Sequence, residues 1–450
     1  MKVSVVGAGP SGLTALKAVK GLQNGSAQLE VECFEQADRI GGLWTLHNGL
    51  GKTSAYRSLH INTSRERTQF SDFPMPTHYP DYPAHSQMCA YLEQYAAHFA
   101  LSPSIRLNTS VLQVRPCEAR SPERSAYELK LSNGESVISD AVIVANGHHA
   151  DPYWPELPGR FDGAMFHASD YLDPDHPLEL RTKRVLVVGF GNSAMDIAAE
   201  LAYAGASVTV SVRRGAHIIP KWVGGKPVDQ TSLLPGWVPR RARRRIAQRL
   251  LELSVGDLTR FGLPKPDHAL GEAHPTLSNE IPHLIRTRRI VMRPAVVRLS
   301  GKRAHFSDGS DVEPDAIVMC TGYNVRFPFF DPDFVSAPDN RLPLFLRVHK
   351  PGVPNLFFIG LCQTVGAILP IAEAQASWVA AELAGEYSLP PTTEMCRTIQ
   401  NHERTSSHYV SSRRHTMQVD PEAYLRALDQ ERRRGHDRAR RLRGALRTRK

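Results

Sequence analysis

Residues 2–12 read KVSVVGAGPSG and residues 184–194 read RVLVVGFGNSA. Each is a base, a β-branched run and then G-x-G-x-x-[GA], the pattern of a strand that turns through glycine into a helix. A second unit also recurs. Ser132-Asn133-Gly134 leads to Asp140-Ala-Val-Ile-Val-Ala-Asn-Gly147, and Ser307-Asp308-Gly309 leads to Asp315-Ala-Ile-Val-Met-Cys-Thr-Gly322. Both read as a hairpin turn followed by a buried strand ending at glycine. One glycine turn alone is a weak signal; two, each closed by the same hairpin-strand unit, specify two Rossmann-like modules.

The expected fold is therefore α/β with two Rossmann-like dinucleotide-binding domains, the second inserted into a discontinuous first. The expected spans are 1–160, 161–322, 323–430 and a basic tail over 431–450. The return to the first domain is inferred from a leftover strand, Asn355-Leu-Phe-Phe-Ile-Gly360, and a helix pattern from Pro370 through Trp378 to Leu383. Both need a sheet to join.

The glycines point to dinucleotides. Gly7 and Gly189 allow the tight turn, Gly9 and Gly191 let backbone approach a pyrophosphate, and Gly12 and Ala194 allow helix and strand to pack closely. Pro10 and Asn192 are expected among the dinucleotide contacts, and Ser11 and Ser193 are expected to cap the two helices. The second strand of each module separates the ligands. Val31-Glu32-Cys33-Phe34 ends at Glu35, with Gln36 beside it; a carboxylate there accepts bonds from ribose hydroxyls and repels a 2′-phosphate, which suits FAD or NAD. Val208-Thr209-Val210-Ser211-Val212 ends at Arg213-Arg214, with no acid expected nearby, which suits the 2′-phosphate of NADPH. The alternative is that two arginines merely end an exposed strand. The reading is FAD in the first module and NADPH in the second, with hydride passing between them.

Composition excludes several other classes. The 450 residues are 41% hydrophobic and 22% charged, ordinary for a globular chain. The six cysteines (Cys33, Cys89, Cys117, Cys320, Cys362 and Cys396) include no C-x-x-C pair, so neither a dithiol redox centre nor a cysteine zinc site is readable. His148-His149 is not taken as a metal pair, because adjacent side chains on a strand end point opposite ways. Of the net charge of +10, nine units fall in Arg432–Lys450, where ten basic residues face Asp437 alone. Such a run reads as a solvated, frayed terminus, the alternative being a membrane-surface or RNA contact, and no nucleic-acid partner is expected. A second basic run, Arg240 to Arg249, alternates with Ile246, Leu250 and Leu251 at helical spacing, as an exposed amphipathic helix packed on its own domain would. The chain opens directly on a strand, and Val365–Ala384 is interrupted by Glu373, Gln375, Ser377 and Glu382. Neither a leader nor a spanning helix is expected, and the expected location is cytoplasmic.

Phe161-Asp-Gly163-Ala-Met-Phe-His167-Ala-Ser-Asp-Tyr171 resembles the F-x-G-x-x-x-H-x-x-x-Y motif of flavin-containing monooxygenases, a class B flavoprotein group. Other segments agree with the resemblance from residue 2 to about 385: Gly41-Gly42-Leu43-Trp44, Ile61-Asn62-Thr63-Ser64, Phe70-Ser71-Asp72-Phe73-Pro74-Met75-Pro76, Cys320-Thr321-Gly322-Tyr323 and Gly360-Leu-Cys-Gln363 to Glu373-Ala-Gln375. The resemblance implies an enzyme in which NADPH reduces FAD, O2 adds at flavin C4a, and a soft nucleophile on a small molecule (amine nitrogen or sulfide sulfur) attacks the resulting hydroperoxide. It implies Asn62 beside the flavin as the catalytic position and Gly42, Leu43, Trp44, Gln363 and Gln375 as flavin contacts. His167 orients the domain linker or satisfies a backbone carbonyl; Tyr171 packs that linker; Lys221 and Trp222 add to NADP contacts. No metal is implied. Homodimer formation is a family expectation that no sequence signature carries. A basic C-terminus in place of a membrane anchor points to a bacterial-type soluble member. Two alternatives stay open: a Baeyer–Villiger oxygenase, which typically shows Trp-Pro or Trp-Asp where Tyr171 stands, and an electron-transfer flavoprotein. Substrate choice is assigned to loops around Thr77–Ser86 and Gly224–Pro275.

Overall fold

The computed structural model of the chain describes residues 1–24, 29–50, 53–118, 125–231, 238–405 and 416–447. The β-branched runs before each glycine turn form the central strands of two parallel five-stranded sheets. The first sheet has the order Leu356–Phe358, Ala141–Val144, Lys2–Val6, Glu30–Phe34, Ile105–Arg106. The second has the order Ala164–His167, Ala316–Met319, Arg184–Val188, Ser207–Ser211, Ile290–Arg293. Ala141–Val144 and Ala316–Met319 are buried at every position, as parallel strands covered on both faces must be.

Both hairpins form where Asn-Gly and Asp-Gly predict them. Gly134 (φ 87°) joins Ser125–Leu131 to Ser136–Ser139, and Gly309 (φ 84°) joins Arg303–Phe306 to Asp311–Val312. The outer strand of the second sheet precedes its glycine turn in the chain, whereas that of the first sheet comes from far downstream. Leu356–Phe358 lies parallel to Ala141–Val144, and the helix Leu369–Leu383, with Pro370 in its first turn, packs on the helix Pro10–Lys20. Trp378 is fully buried there with Leu13, Leu16 and Val5. The first sheet is thus completed around an inserted second one, the architecture read from the sequence.

The chain's two crossings between the sheets lie side by side. Asp151–Pro152 pairs antiparallel with Tyr323–Asn324. His167 ties them: its Nδ1 accepts from the Ser169 amide (3.1 Å) and its Nε2 donates to the Gly322 carbonyl (3.1 Å). Burial lowers its pKa, which keeps the imidazole neutral in that tautomer. Tyr171 is 1% exposed and donates to Glu200 (2.8 Å).

Three expectations change. The arginine-rich end is not frayed over its described length: a helix runs Pro421–Arg447, opened by Asp420, whose Oδ1 accepts from the Ala423 amide (2.8 Å). The expected tail start at 431 falls inside it, and 448–450 lie outside the described residues. Tyr424, Leu428, Glu431, Gly435 and Ala439 form a buried stripe at three- and four-residue spacing, masked in the sequence by the arginines between them. Second, Ser11 and Ser193 do not cap their helices; the cap positions are Gly9 and Gly191, and the serines sit in the first turn. Third, His148 and His149 do not point apart. Their ring centroids are 4.3 Å from each other, because they follow the strand end at Val144 rather than belonging to it. No group of three or more His, Cys, Asp or Glu suited to a metal occurs among the described residues.

The helix Arg240–Val255 is present, with Ile246 and Leu250 exposed. No helix among the described residues is long and apolar enough to cross a membrane.

Candidate active site between the two nucleotide-binding sheets

The two glycine turns are stripped of side chains where a ligand backbone would pass. A Cβ on Gly7 (φ 101°) would lie 2.7 Å from the Ala145 carbonyl oxygen, and one on Gly12 would lie 1.8 Å from that of Gly7. Only glycine fits either place. The Gly41–Trp44 segment closes over the turn: the Gly41 amide donates to the Ala8 carbonyl (3.1 Å), and a Cβ on Gly42 (φ 59°) would lie 3.1 Å from Gly9 Cα. Leu43 is exposed and Trp44 half-buried at its rim. The second turn repeats the design, with Gly189 (φ 133°) placing a notional Cβ 2.4 Å from the Cys320 carbonyl oxygen. Asn192 opens the following helix, and its Oδ1 accepts from the Leu277 amide (3.0 Å).

Glu35 stands one residue past its strand, 7% exposed, with Oε2 accepting from the Ala8 amide (2.7 Å) and Oε1 from the Ala37 amide (2.9 Å). The acid is therefore fixed against the glycine turn by the turn's own backbone, each oxygen keeping lone-pair capacity for a ribose hydroxyl. Gln36 beside it is exposed. Across the molecule, Arg213 and Arg214 are exposed at the end of their strand. Here the sequence reading needs correction: an acid does lie nearby. Asp267 approaches Arg214, with Nε 2.7 Å from Oδ1 and 2.6 Å from Oδ2. Fifty-three positions separate the pair, so adjacency in sequence could not reveal it.

Gln375 is fully buried. Its Oε1 accepts from the Gly360 amide (2.8 Å) and its Nε2 donates to the Tyr424 hydroxyl (2.7 Å), which in turn donates to the Leu346 carbonyl (2.6 Å). It braces the end of the returning strand, and Gly360 lies directly against Ser11. Gln363 is half-buried, its backbone bonded to Met417.

Asn62 lies in an exposed turn, and its amide bonds no described residue. On either side of it the second module reaches across. Asp229 Oδ2 accepts from the Ser64 amide (2.7 Å), Gln230 donates to the Ser64 hydroxyl (2.9 Å), and the Lys221 amine faces the His60 imidazole. Burial pushes Lys221 below its ordinary pKa. The Lys221 carbonyl accepts from Tyr82 (2.6 Å), and the Trp222 indole donates to Asp81 (2.8 Å). Besides bonds within its own module to Asn279 and Val228, Lys221 thus meets His60 and Tyr82, and Trp222 meets Asp81. A further clasp joins Tyr56 to Asp196 (2.7 Å) and Arg57 to Asp173 (2.6 Å). The sequence reading gave none of these cross-contacts. Of the loops named above for substrate choice, Asp81 and Tyr82 bond Trp222 and Lys221, and Asp229 and Gln230 bond Ser64, while 232–237 lie outside the described residues.

Against known proteins, residues 1–432 match the family model described as flavin-binding monooxygenase-like. Flavin-containing monooxygenase 5 of Rattus norvegicus is 35% identical over 438 residues, covering 93% of this chain and 80% of the relative. A dimethylaniline monooxygenase [N-oxide-forming] 2 of Mus musculus is 34% identical over 446 residues, covering 95% and 82%. Among solved structures, the S-allyl-L-cysteine S-oxygenase of Allium sativum superposes with a TM-score of 0.69 at 22% identity, covering 99% of this chain and 93% of that one. Two bare glycine turns, an acid at one strand end and arginines at the other, on a chain matched over nearly its whole length, place this protein in the family of flavin-binding monooxygenases.

Proposed function

We propose that the protein holds FAD on the first sheet and NADPH on the second, and oxygenates an amine nitrogen or sulfide sulfur of a small molecule in the cleft at Asn62. The observation that carries this reading is the opposed charge beyond two otherwise matching strands, Glu35 on one and Arg213-Arg214 on the other. Bound together, the two cofactors supply the hydride and activate O2. The chain's own residues do the rest. Gly7, Gly9 and Gly12 with the start of the helix Pro10–Lys20 seat the FAD pyrophosphate, and Glu35 holds the ribose. Gly189, Gly191, Asn192 and Ser193 seat the second pyrophosphate. The Asn62 amide donates a hydrogen bond at the reacting centre without being acidic enough to give up a proton. The Asp229, Gln230 and Trp222 contacts tie the second module to the segments on either side of Asn62.

The same reading takes 1–160 with 323–430 as the FAD-binding domain and 161–322 as the NADPH-binding domain, acting as a homodimer in the cytoplasm; light scattering on the holoenzyme tests the dimer. Oxygenation at nitrogen is the reaction for which the 34%-identical dimethylaniline monooxygenase is named, and oxygenation at sulfur that of the structurally similar S-allyl-L-cysteine S-oxygenase. The deciding experiment supplies NADPH and air with a tertiary amine, a thioether and a cyclic ketone. N-oxide and sulfoxide are the expected products. A lactone alone would move the reading to Baeyer–Villiger chemistry, and NADPH consumption yielding only hydrogen peroxide would move it to an oxidase or electron carrier.

A further inference from the structure

The two arginines at the end of the strand Ser207–Ser211 are not equivalent. Arg213 is exposed and ion-pairs with no described residue. Arg214 is engaged along its Nε edge by both oxygens of Asp267, at 2.7 and 2.6 Å, and its two terminal amino groups bond no described residue. Asp267 is not there by the chance sweep of a loop. The segment carrying it is pressed onto the arginine turn: a Cβ on Gly215 would lie 2.1 Å from the Pro264 carbonyl oxygen. His217 Nε2 donates to the His268 carbonyl (2.9 Å), and His268 Nδ1 lies 3.0 Å from Asp267 Oδ1. Arg214 and His268 hold the Asp267 carboxyl down to about 2, so it is charged throughout the working pH range.

A 2′-phosphate carries close to two negative charges, whereas the 2′-hydroxyl of NADH carries none. A fixed carboxylate on one of two reading arginines therefore penalises the phosphate and is indifferent to the hydroxyl. We propose that Asp267 is a specificity-setting residue: its carboxylate offsets the charge of Arg214, leaves Arg213 as the principal reader of the 2′-phosphate, and holds the preference for NADPH below what two free arginines would give. The proposal rests on the reading of the second sheet as the NADPH site. Because Arg214 and Asp267 are both solvent-accessible, the effect is moderate and screened by salt.

Calorimetric titration of the FAD-loaded protein with 2′,5′-ADP and with 5′-AMP isolates the 2′-phosphate without turnover. Asp267→Asn keeps an acceptor for Arg214 Nε and removes only the charge. It is expected to tighten 2′,5′-ADP about three- to fivefold relative to 5′-AMP, with the gain fading as salt rises. Arg213→Ala is expected to loosen 2′,5′-ADP more than Arg214→Ala does. An unchanged or lowered 2′,5′-ADP preference in Asp267→Asn, with the arginine variants still losing theirs, would overturn the proposal and leave the coenzyme site standing. If neither arginine variant alters the preference, the site itself is misassigned and the role of Asp267 falls with it.

Discussion

Glu35 carries two duties at once, since its oxygens hold the Ala8 and Ala37 amides as well as facing the glycine turn. Replacing it with glutamine withdraws one acceptor and the charge from a buried site. FAD affinity is expected to fall about tenfold or more, read as flavin retained after gel filtration and by fluorescence titration of the apoprotein. A second prediction concerns groups the chemistry does not use. Glu382 and His349 lie with Oε2 and Nε2 3.5 Å apart beside Trp378, and burial pushes the carboxyl up to about 8 and the imidazole down to about 3. A carboxyl raised on folding stabilises fully below its unfolded pKa and loses that contribution as pH climbs towards 8. Glu382→Gln, which keeps the neutral shape, is therefore expected to raise the melting temperature by several degrees at pH 8.5 and by much less at pH 5.5. At this scale the sequence was legible wherever a residue's neighbours in space are its neighbours in the chain. The glycines and Glu35 qualify. Asp267 does not, and neither does Gln375, since nothing in a glutamine codon position says that Gly360 and Tyr424 will consume its amide.

Among the elements, the C-terminal helix departs most from its sequence reading. Its arginines dominate the composition, yet its docking is decided by what lies between them. Gly435 admits the Tyr387 ring, which a Cβ there would meet at 1.8 Å, and Glu431, 6% exposed, accepts from the Tyr387 hydroxyl (2.8 Å) and pairs with Arg438. Arg438→Ala strands a buried carboxylate and is expected to cost about 3–5 kcal/mol locally, seen as earlier proteolysis after residue 420 and a lower melting temperature. Arg433→Ala, on the exposed side, is expected to change neither. The helix starts teach a related lesson. A serine two places into a glycine turn looks like a cap in the sequence, but Gly9 and Gly191 already occupy that position because the backbone must stay bare for a ligand.

For the molecule as a whole, the relation of the two sheets rests on a few polar clasps. Tyr56, 2% exposed, donates across to Asp196 (2.7 Å), beside the Tyr171–Glu200 and Arg57–Asp173 contacts. Tyr56→Phe is expected to leave FAD content intact and slow flavin bleaching by NADPH about three- to tenfold, measured by anaerobic rapid mixing, because the second sheet is less firmly registered against the first. The overall plan was legible because repeats announce themselves over any distance; the clasp was not, because its partners belong to different repeats.

The returning strand Leu356–Phe358 also dictates an order of events during synthesis. On a ribosome the second sheet has all five of its strands once residue 319 emerges, whereas the first waits with Ala141–Val144 as a bare edge until residue 358 follows. The sheet begun first is finished last, and a chain halted between those two points carries a sticky, open-edged first sheet beside a completed neighbour.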